Sequence, residues 1–379
     1  MFRSVFAAVA IAAVVAAVSA HLRAAQEDNA VPAGRQGGAR AGGGGRGGGG
    51  GASHYPTGEQ WAAMGPRAKE YVDQAKALAG NDPDLQFDFG IFCAAGGGAS
   101  NEERAKIGVP NSEPKLEPFP APNPPVVIGG QRLFDNFYWI GNTGIGAWLI
   151  TSNDGYILFD TMNSEADARD IIVPAIKKLN LDPMKIKYLV FGHHHFDHTG
   201  GGEYMQRLTS AKAVMGRDDW DIYLRTPARG GGPSNPKMKR DIDAKDGMTI
   251  TVGSGPGAVT ATLFEMTGHT PGSIGMVVPV RYQGANHPIL LVTAGSDIPN
   301  RESFIGGYEH IWDEGVKMKV ESVMQAHPNT NMNILARTKW VNDHYPPAKN
   351  PLLYGAARTE RYLNIVRACT QARLEILGW

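Results

Sequence analysis

The chain has 379 residues, with 37 Lys plus Arg against 37 Asp plus Glu and a net charge of zero. This balance carries no electrostatic footprint for nucleic acid. The length suits one large domain with an N-terminal extension.

Phe2-Arg3 and the apolar run Val5–Val18 read as a secretory signal peptide over residues 1–20. Val18-Ser19-Ala20 fits a small-residue cleavage site, with the mature chain starting at His21. The apolar run is shorter than the roughly 20 residues a spanning helix needs. The expectation is therefore a periplasmic or secreted protein with no stable membrane span after cleavage, and an uncleaved anchor is the alternative. Residues 21–52, Gly-rich from 34 onward with Arg35, Arg40 and Arg46 interspersed, cannot build a core and read as a disordered linker. Three arginines make a poor case for a nucleic-acid-binding tail.

Residues 53–124 read as an extension with one helix, Glu59–Leu78, closed by Gly80 and followed by a proline-rich connector over 108–125. Residues 125–379 read as the main folded domain. Strands are expected near 126–129, 137–140, 145–151 and 156–161, then an amphipathic helix over Ser164–Asn180 that Pro174 kinks or splits. A strand at 186–191, a helix near 201–208, a strand at Ala213–Met215 and a helix near Asp218–Leu224 follow. After a loop at 226–240 come strands near 248–252, 259–266, 274–280 and 288–294. A helix over 308–318, a strand at 320–325 and a last helix at Arg358–Leu377 complete the chain. Strands interleaved with helices indicate an α/β fold.

The chemistry concentrates in His193-His194-His195-Phe196-Asp197-His198, at the end of the apolar strand Ile186–Phe191. Residues two apart on extended backbone point the same way, so His193 and His195 can face one metal. Asp197 and His198, beside the glycines Gly200-Gly201, can face a second. Imidazole and carboxylate are the ligands of hydrolytic zinc sites. Two more histidines close strand-like runs: His269 in Gly268-His269-Thr270-Pro271-Gly272-Ser273 and His327 before Pro328. In an open α/β layout, sites gather at such strand ends. His194 is expected to point away from the metals, and Asp160 to orient a ligand histidine. No Gly-x-Ser-x-Gly elbow supports a Ser/His/Asp hydrolase.

On these motifs the sequence resembles the metallo-β-lactamase superfamily over about residues 125–379, and within it subclass B3. The resemblance implies an αββα four-layer sandwich and two zinc ions. It implies one zinc on His193, His195 and His269, and the other on Asp197, His198 and His327. Hydrolysis would proceed by attack of a zinc-bound hydroxide on a carbonyl, with Asp197 as the catalytic residue that orients the nucleophile and passes a proton to the leaving group. Ser296 looks like a substrate-binding serine of subclass B3, although a one-residue shift would make Asp297 a bridging ligand. The second serine of that pattern falls at Ile298, a departure that counts against penicillin-like substrates. An intrachain disulfide can only join Cys93 and Cys369, and whether it forms rests on geometry.

The expected partner is a small-molecule substrate, a β-lactam or, as the alternative, a lactone or other ester. Loops 226–240 and 297–310 would set specificity. A non-catalytic scaffold on the same fold is disfavoured by the intact six-residue ligand set. Oligomeric state is not readable from the sequence.

Overall fold

Alternation along the strands decides the architecture. In β2 (Phe137–Asn142), β3 (Gly146–Ser152) and β4 (Gly155–Phe159), the side chains of Trp139, Trp148, Ile150, Ile157 and Phe159 enter one core. Those of Tyr138, Ile140, Ala147, Leu149 and Leu158 enter another. Successive residues point to opposite faces, so a sheet made of these strands must be covered on both sides. The computed structural model of the protein describes residues 56–93, 125–226, 237–293, 301, 307–328 and 334–379.

A seven-stranded sheet runs in the order β1-β2-β3-β4-β5-β6-β7. It adds β1 (Val127–Phe134), β5 (Ile186–Val190), β6 (Lys212–Gly216) and β7 (Ile242–Ala244). The first four strands pair antiparallel and β4 to β7 pair parallel. A five-stranded sheet has the order β12-β11-β10-β9-β8, from β8 (Met248–Val252), β9 (Val259–Glu265), β10 (Ile274–Tyr282), β11 (Ala285–Val292) and β12 (Val323–Gln325). It is antiparallel except for the β11–β12 pair.

Leu263, Met276, Val278, Ile289 and Leu291 of the second sheet meet Trp148, Ile157 and Phe159 of the first in a common core. Burial of each such side chain contributes about 1.5–3 kcal/mol, so this apolar layer is what joins the two sheets. Outside the first sheet lie Ile172, Ile176, Met205 and Trp220 from helices. Outside the second lie Ile311, Trp312, Leu363 and Val366. The result is the αββα sandwich, as expected.

Several elements differ from their sequence-based expectation. The helix expected over Ser164–Asn180 is composite: Glu165–Asp167, a π-helical turn at Ala168–Ile172, then Val173–Lys178. Pro174 has no N–H to donate, and the wider turn just before it carries Val173 N–H to Ala168 O. The extension holds three helices among the described residues rather than the one expected: Gly58–Ala62, Pro66–Ala79 and Pro83–Cys93. Pro66 and Pro83 each open a new helix at a position where a missing N–H costs nothing. Strand β7 and the helix Ile334–Asp343 were not expected either. Of the connector over 108–125, only residue 125 is among the described residues.

The extension is tied to the C-terminal helix Ala356–Leu377. Ala75, Ala79 and Leu85 share a core with Tyr362, Leu363 and Val366. Arg337 donates to Asp84 Oδ1 at 2.7 Å, and Arg358 to Asp84 Oδ2 at 2.6 Å. Cys93 and Cys369 form a disulfide across 276 positions of sequence. No helix among the described residues is long and apolar enough to cross a membrane.

Candidate metal centre

The first histidines sit where β5 ends. Gly192 lies so close to the end of β11 that a Cβ there would meet Thr293 Oγ1 at 2.0 Å, so only glycine lets the chain through. Its N–H donates to Asp160 Oδ1 at 3.1 Å, and its carbonyl accepts from Ile274 N–H at 2.8 Å. The end of β5 is thereby fixed to both sheets. His193 follows, buried, with Nδ1 at 3.0 Å from Thr293 Oγ1.

Three imidazole nitrogens then converge. His193 Nε2 and His269 Nε2 each lie 3.1 Å from His195 Nδ1. A second group forms beside it, since ligand atoms of His193, Asp197 and His198 lie within 4.8 Å of one another. Asp197 Oδ2 is 3.4 Å from His198 Nε2 and 3.4 Å from His327 Nε2. The six residues read as ligands from sequence are thus brought together from three loops, after β5, β9 and β12. The chain turns here, as expected beside the glycines: Phe196–Thr199 is a helical turn. That turn is what swings Asp197 and His198 toward His327.

The nitrogens that do not face the centre are held by other groups. His198 Nδ1 lies 2.8 Å from Asp160 Oδ2, with both side chains buried. Asp160 has φ +66°, a left-handed conformation that Asp tolerates better than most residues and that is enriched at functional sites. In that turn its two oxygens serve Gly192 and His198 at once. This is the orienting role expected of Asp160. His327 Nδ1 lies 3.2 Å from the carbonyl of Gly144. His194 belongs to neither group of ligand atoms. Its Nδ1 lies 3.1 Å from Asp219 Oδ2, a close contact rather than a well-aligned hydrogen bond.

The electrostatics suit a cation. Burial, reinforced by His198, His269 and His195, holds His193 well below the ordinary histidine range. Burial and the neighbouring His269 and His194 push His195 down to about 4. Neutral imidazoles present lone pairs, and lone pairs 3.1 Å apart repel unless a proton or a metal lies between them. Asp197 is the complement: burial would raise it, but hydrogen bonds to His198 and His327 outweigh that and hold it far below the carboxylate range. Burial would lower His198, yet Asp160 and Asp197 raise it to about 9. Neutral nitrogens on His193 and His195, a permanent carboxylate on Asp197, a His198 ring that would give up its proton to a metal, and partners behind the rings make the donor set of a zinc site, so the residues present fit zinc.

Ser296, with Asp297 and Ile298, lies outside the described residues, as do 227–236 of the loop 226–240 and most of 297–310. Asp219 was missed from the sequence. It opens the helix Arg217–Arg225 beside Asp218, and nothing in the local pattern separates the two. Thr293 and Gly144 carried no signal either, because their roles arise from loops that meet only in three dimensions.

Residues 141–281 match the family model of the metallo-beta-lactamase superfamily, a stretch that holds five of the six candidate ligands. Among solved structures, the chain is similar to BJP-1, a subclass B3 metallo-beta-lactamase of Bradyrhizobium japonicum. The identity is 23%, the TM-score 0.51, and the match covers 62% of this chain and 90% of that one. It is similar to Rm3 metallo-beta-lactamase at 22% identity and TM-score 0.53, covering 67% and 96%. It is also similar to the metallo-beta-lactamase MIM-1 from Novosphingobium pentaromativorans at 21% identity and TM-score 0.51, covering 65% and 89%. Identities this low establish likeness of fold.

Proposed function

We propose that this chain, built on the metallo-β-lactamase fold, is a dinuclear zinc hydrolase that opens the amide of a β-lactam. The observation that carries the reading is the convergence of His193, His195 and His269 on one side, and on the other of Asp197 with His193 and His198, its Oδ2 3.4 Å from both His198 Nε2 and His327 Nε2. His193, His195 and His269 would hold one zinc, and Asp197, His198 and His327 the other. Zinc supplies Lewis acidity, which polarises a carbonyl and makes water a nucleophile at about pH 7.

The remaining work falls to the chain's own residues. Asp197 is the acid–base group. Ionised at neutral pH, it can take a proton from the attacking water and return it to the leaving nitrogen as the C–N bond breaks. Asp160 fixes the ring of His198, Thr293 that of His193 and Gly144 that of His327, so the centre does not have to reorganise as charge develops. The signal sequence read in residues 1–20 supports export, and with it action in the periplasm or outside the cell.

The second reading is a zinc hydrolase of lactones or other esters. It is favoured by Ile298, whose side chain cannot bind the carboxylate that a penicillin presents at the position where the family has a serine. A hydrolysis panel decides between them: nitrocefin, penicillins, carbapenems and acyl-homoserine lactones offered to zinc-loaded protein. Turnover of the β-lactams, abolished by EDTA and restored by zinc, is the expected result. Lactone opening with every β-lactam untouched would replace the first reading by the second. No turnover of either class would sink both.

A further inference from the structure

Behind the first group of nitrogens lies a carboxylate that the proposed chemistry does not use. Asp219 is fully buried in the first turn of the helix Arg217–Arg225. Its Oδ2 accepts from the main-chain N–H of His194 at 2.8 Å and from the hydroxyl of Thr270 at 2.7 Å. Its Oδ1 accepts from the N–H of Gly272 at 2.8 Å. These donors belong to two loops. One carries His193 and His195, and the other carries His269.

The packing around it is shaped for this contact. A Cβ on Gly272 would meet Asp219 N at 2.5 Å, and one on Gly216 would meet the Gly272 carbonyl at 2.0 Å. Glycine at both positions lets the two backbones close on the carboxylate. Three N–H or O–H donors on one buried acceptor group form a strong, directional clamp, since hydrogen bonds to charged groups are about twice as strong as neutral ones.

We infer that Asp219 is a positioning residue for one half of the centre: it sets the spacing of the His193–His195 loop from the His269 loop, and so the affinity of that zinc site. Asp160 is its counterpart for the other half, through His198. The inference rests on the two-zinc reading above and goes beyond it, because it assigns each buried carboxylate to a different metal.

Competitive zinc titration of the full chain against a chromophoric chelator tests this, with no need of a substrate. The variants are Asp219→Asn and Asp160→Asn. Partners behind metal ligands typically govern about 10–100-fold of metal affinity. In Asp219→Asn one zinc equivalent should weaken by about that factor while the other keeps its parent affinity. In Asp160→Asn the opposite equivalent should weaken. The two equivalents are told apart by adding His269→Ala or His327→Ala, each of which deletes one of them. Thr270→Val, which removes one donor and keeps the carboxylate, should weaken the same equivalent as Asp219→Asn, and it carries the test if that variant does not fold. A loss spread equally over both equivalents, as general destabilisation would give, overturns the inference, and so does no loss. A parent chain that binds no zinc overturns the proposed function and this inference together. A parent that binds two, with no selective loss in the variants, overturns the inference alone.

Discussion

His198 Nδ1 and Asp160 Oδ2 stand 2.8 Å apart with both side chains out of contact with solvent. The pairing makes one member of the ligand set a proton carrier in the metal-free protein. Against burial, Asp160 and Asp197 raise His198 to about 9. Zinc needs its ligands deprotonated, so at pH 7.5 zinc binding should expel about one proton from this residue. Calorimetry in buffers of different ionisation enthalpy reads this directly. An observed enthalpy that does not vary with the buffer would contradict it.

The same centre gives the metal-free protein a predictable pH profile. His198 is raised above its unfolded value of about 6.5, so its stabilisation is full below that value and is lost as pH rises through about 9. His195 is lowered to about 4. Its contribution is present above about 6.5 and is lost as pH falls toward 4. The part of stability due to these two residues should therefore peak between the two windows. Melting curves of EDTA-treated protein across pH 4–10 test this, with zinc-loaded protein as reference. A monotonic profile would count against the assignment.

Asp197→Ala should cost far more activity than His194→Ala. Asp197 touches His198 and His327 across the centre, whereas His194 turns its ring toward Asp219. A lost partner behind a ligand costs about 10–100-fold, and a lost ligand that also moves the proton should exceed that. Steady-state kcat/KM with matched zinc content makes the comparison. A more damaging His194→Ala would mean that its ring faces the substrate.

Reduction of the Cys93–Cys369 bridge, or Cys93→Ser with Cys369→Ser, should lower stability by about 2–5 kcal/mol. The bridge closes a loop of 276 positions, and it ties the helix Pro83–Cys93 to the C-terminal helix. Limited proteolysis should then cut first in the extension. A melting temperature unchanged by reduction would argue that the apolar contacts of Ala75, Ala79 and Leu85 alone hold it.

Asp84→Ala should be among the most destabilising changes outside the centre. Arg337 is only 2% exposed and gives Nη2 to Asp84, and Arg358 donates to the other oxygen. Removing the carboxylate breaks the buried Arg337–Asp84 pair, at a cost of about 3–5 kcal/mol. Chemical denaturation measures this, and a loss below 1 kcal/mol, the range of about 0–1 kcal/mol for surface pairs, would contradict it.

Much of this was legible in the sequence because the signals are local. Near-continuous apolar runs mark strands buried on both faces, such as β2 and β4, and apolar alternation marks strands with one exposed face, such as β8. The ligand types are dense enough over His193–His198 to be read without a fold. Where a local rule competes with packing, the reading slipped. Proline at 66 and 83 starts helices rather than merely interrupting them, and short elements such as β7 and the helix Ile334–Asp343 lack enough turns to show a period.

The sequence by itself determined the α/β class and the strands that end at the centre, which follow from residue type and spacing along the chain, while the full set of six candidate ligands is what the resemblance carried by its motifs implies. Only the tertiary structure decided what brings those residues together and what holds them. His327 joins Asp197 because β12 pairs parallel with β11. Asp160 reaches His198 across 38 positions through a left-handed turn. Asp219 joins loops 25 and 53 positions away from it. The bridge Cys93–Cys369 and the pair Asp84–Arg337 likewise span most of the chain. Such contacts depend on where separate elements come to rest, and no local pattern of residues encodes them.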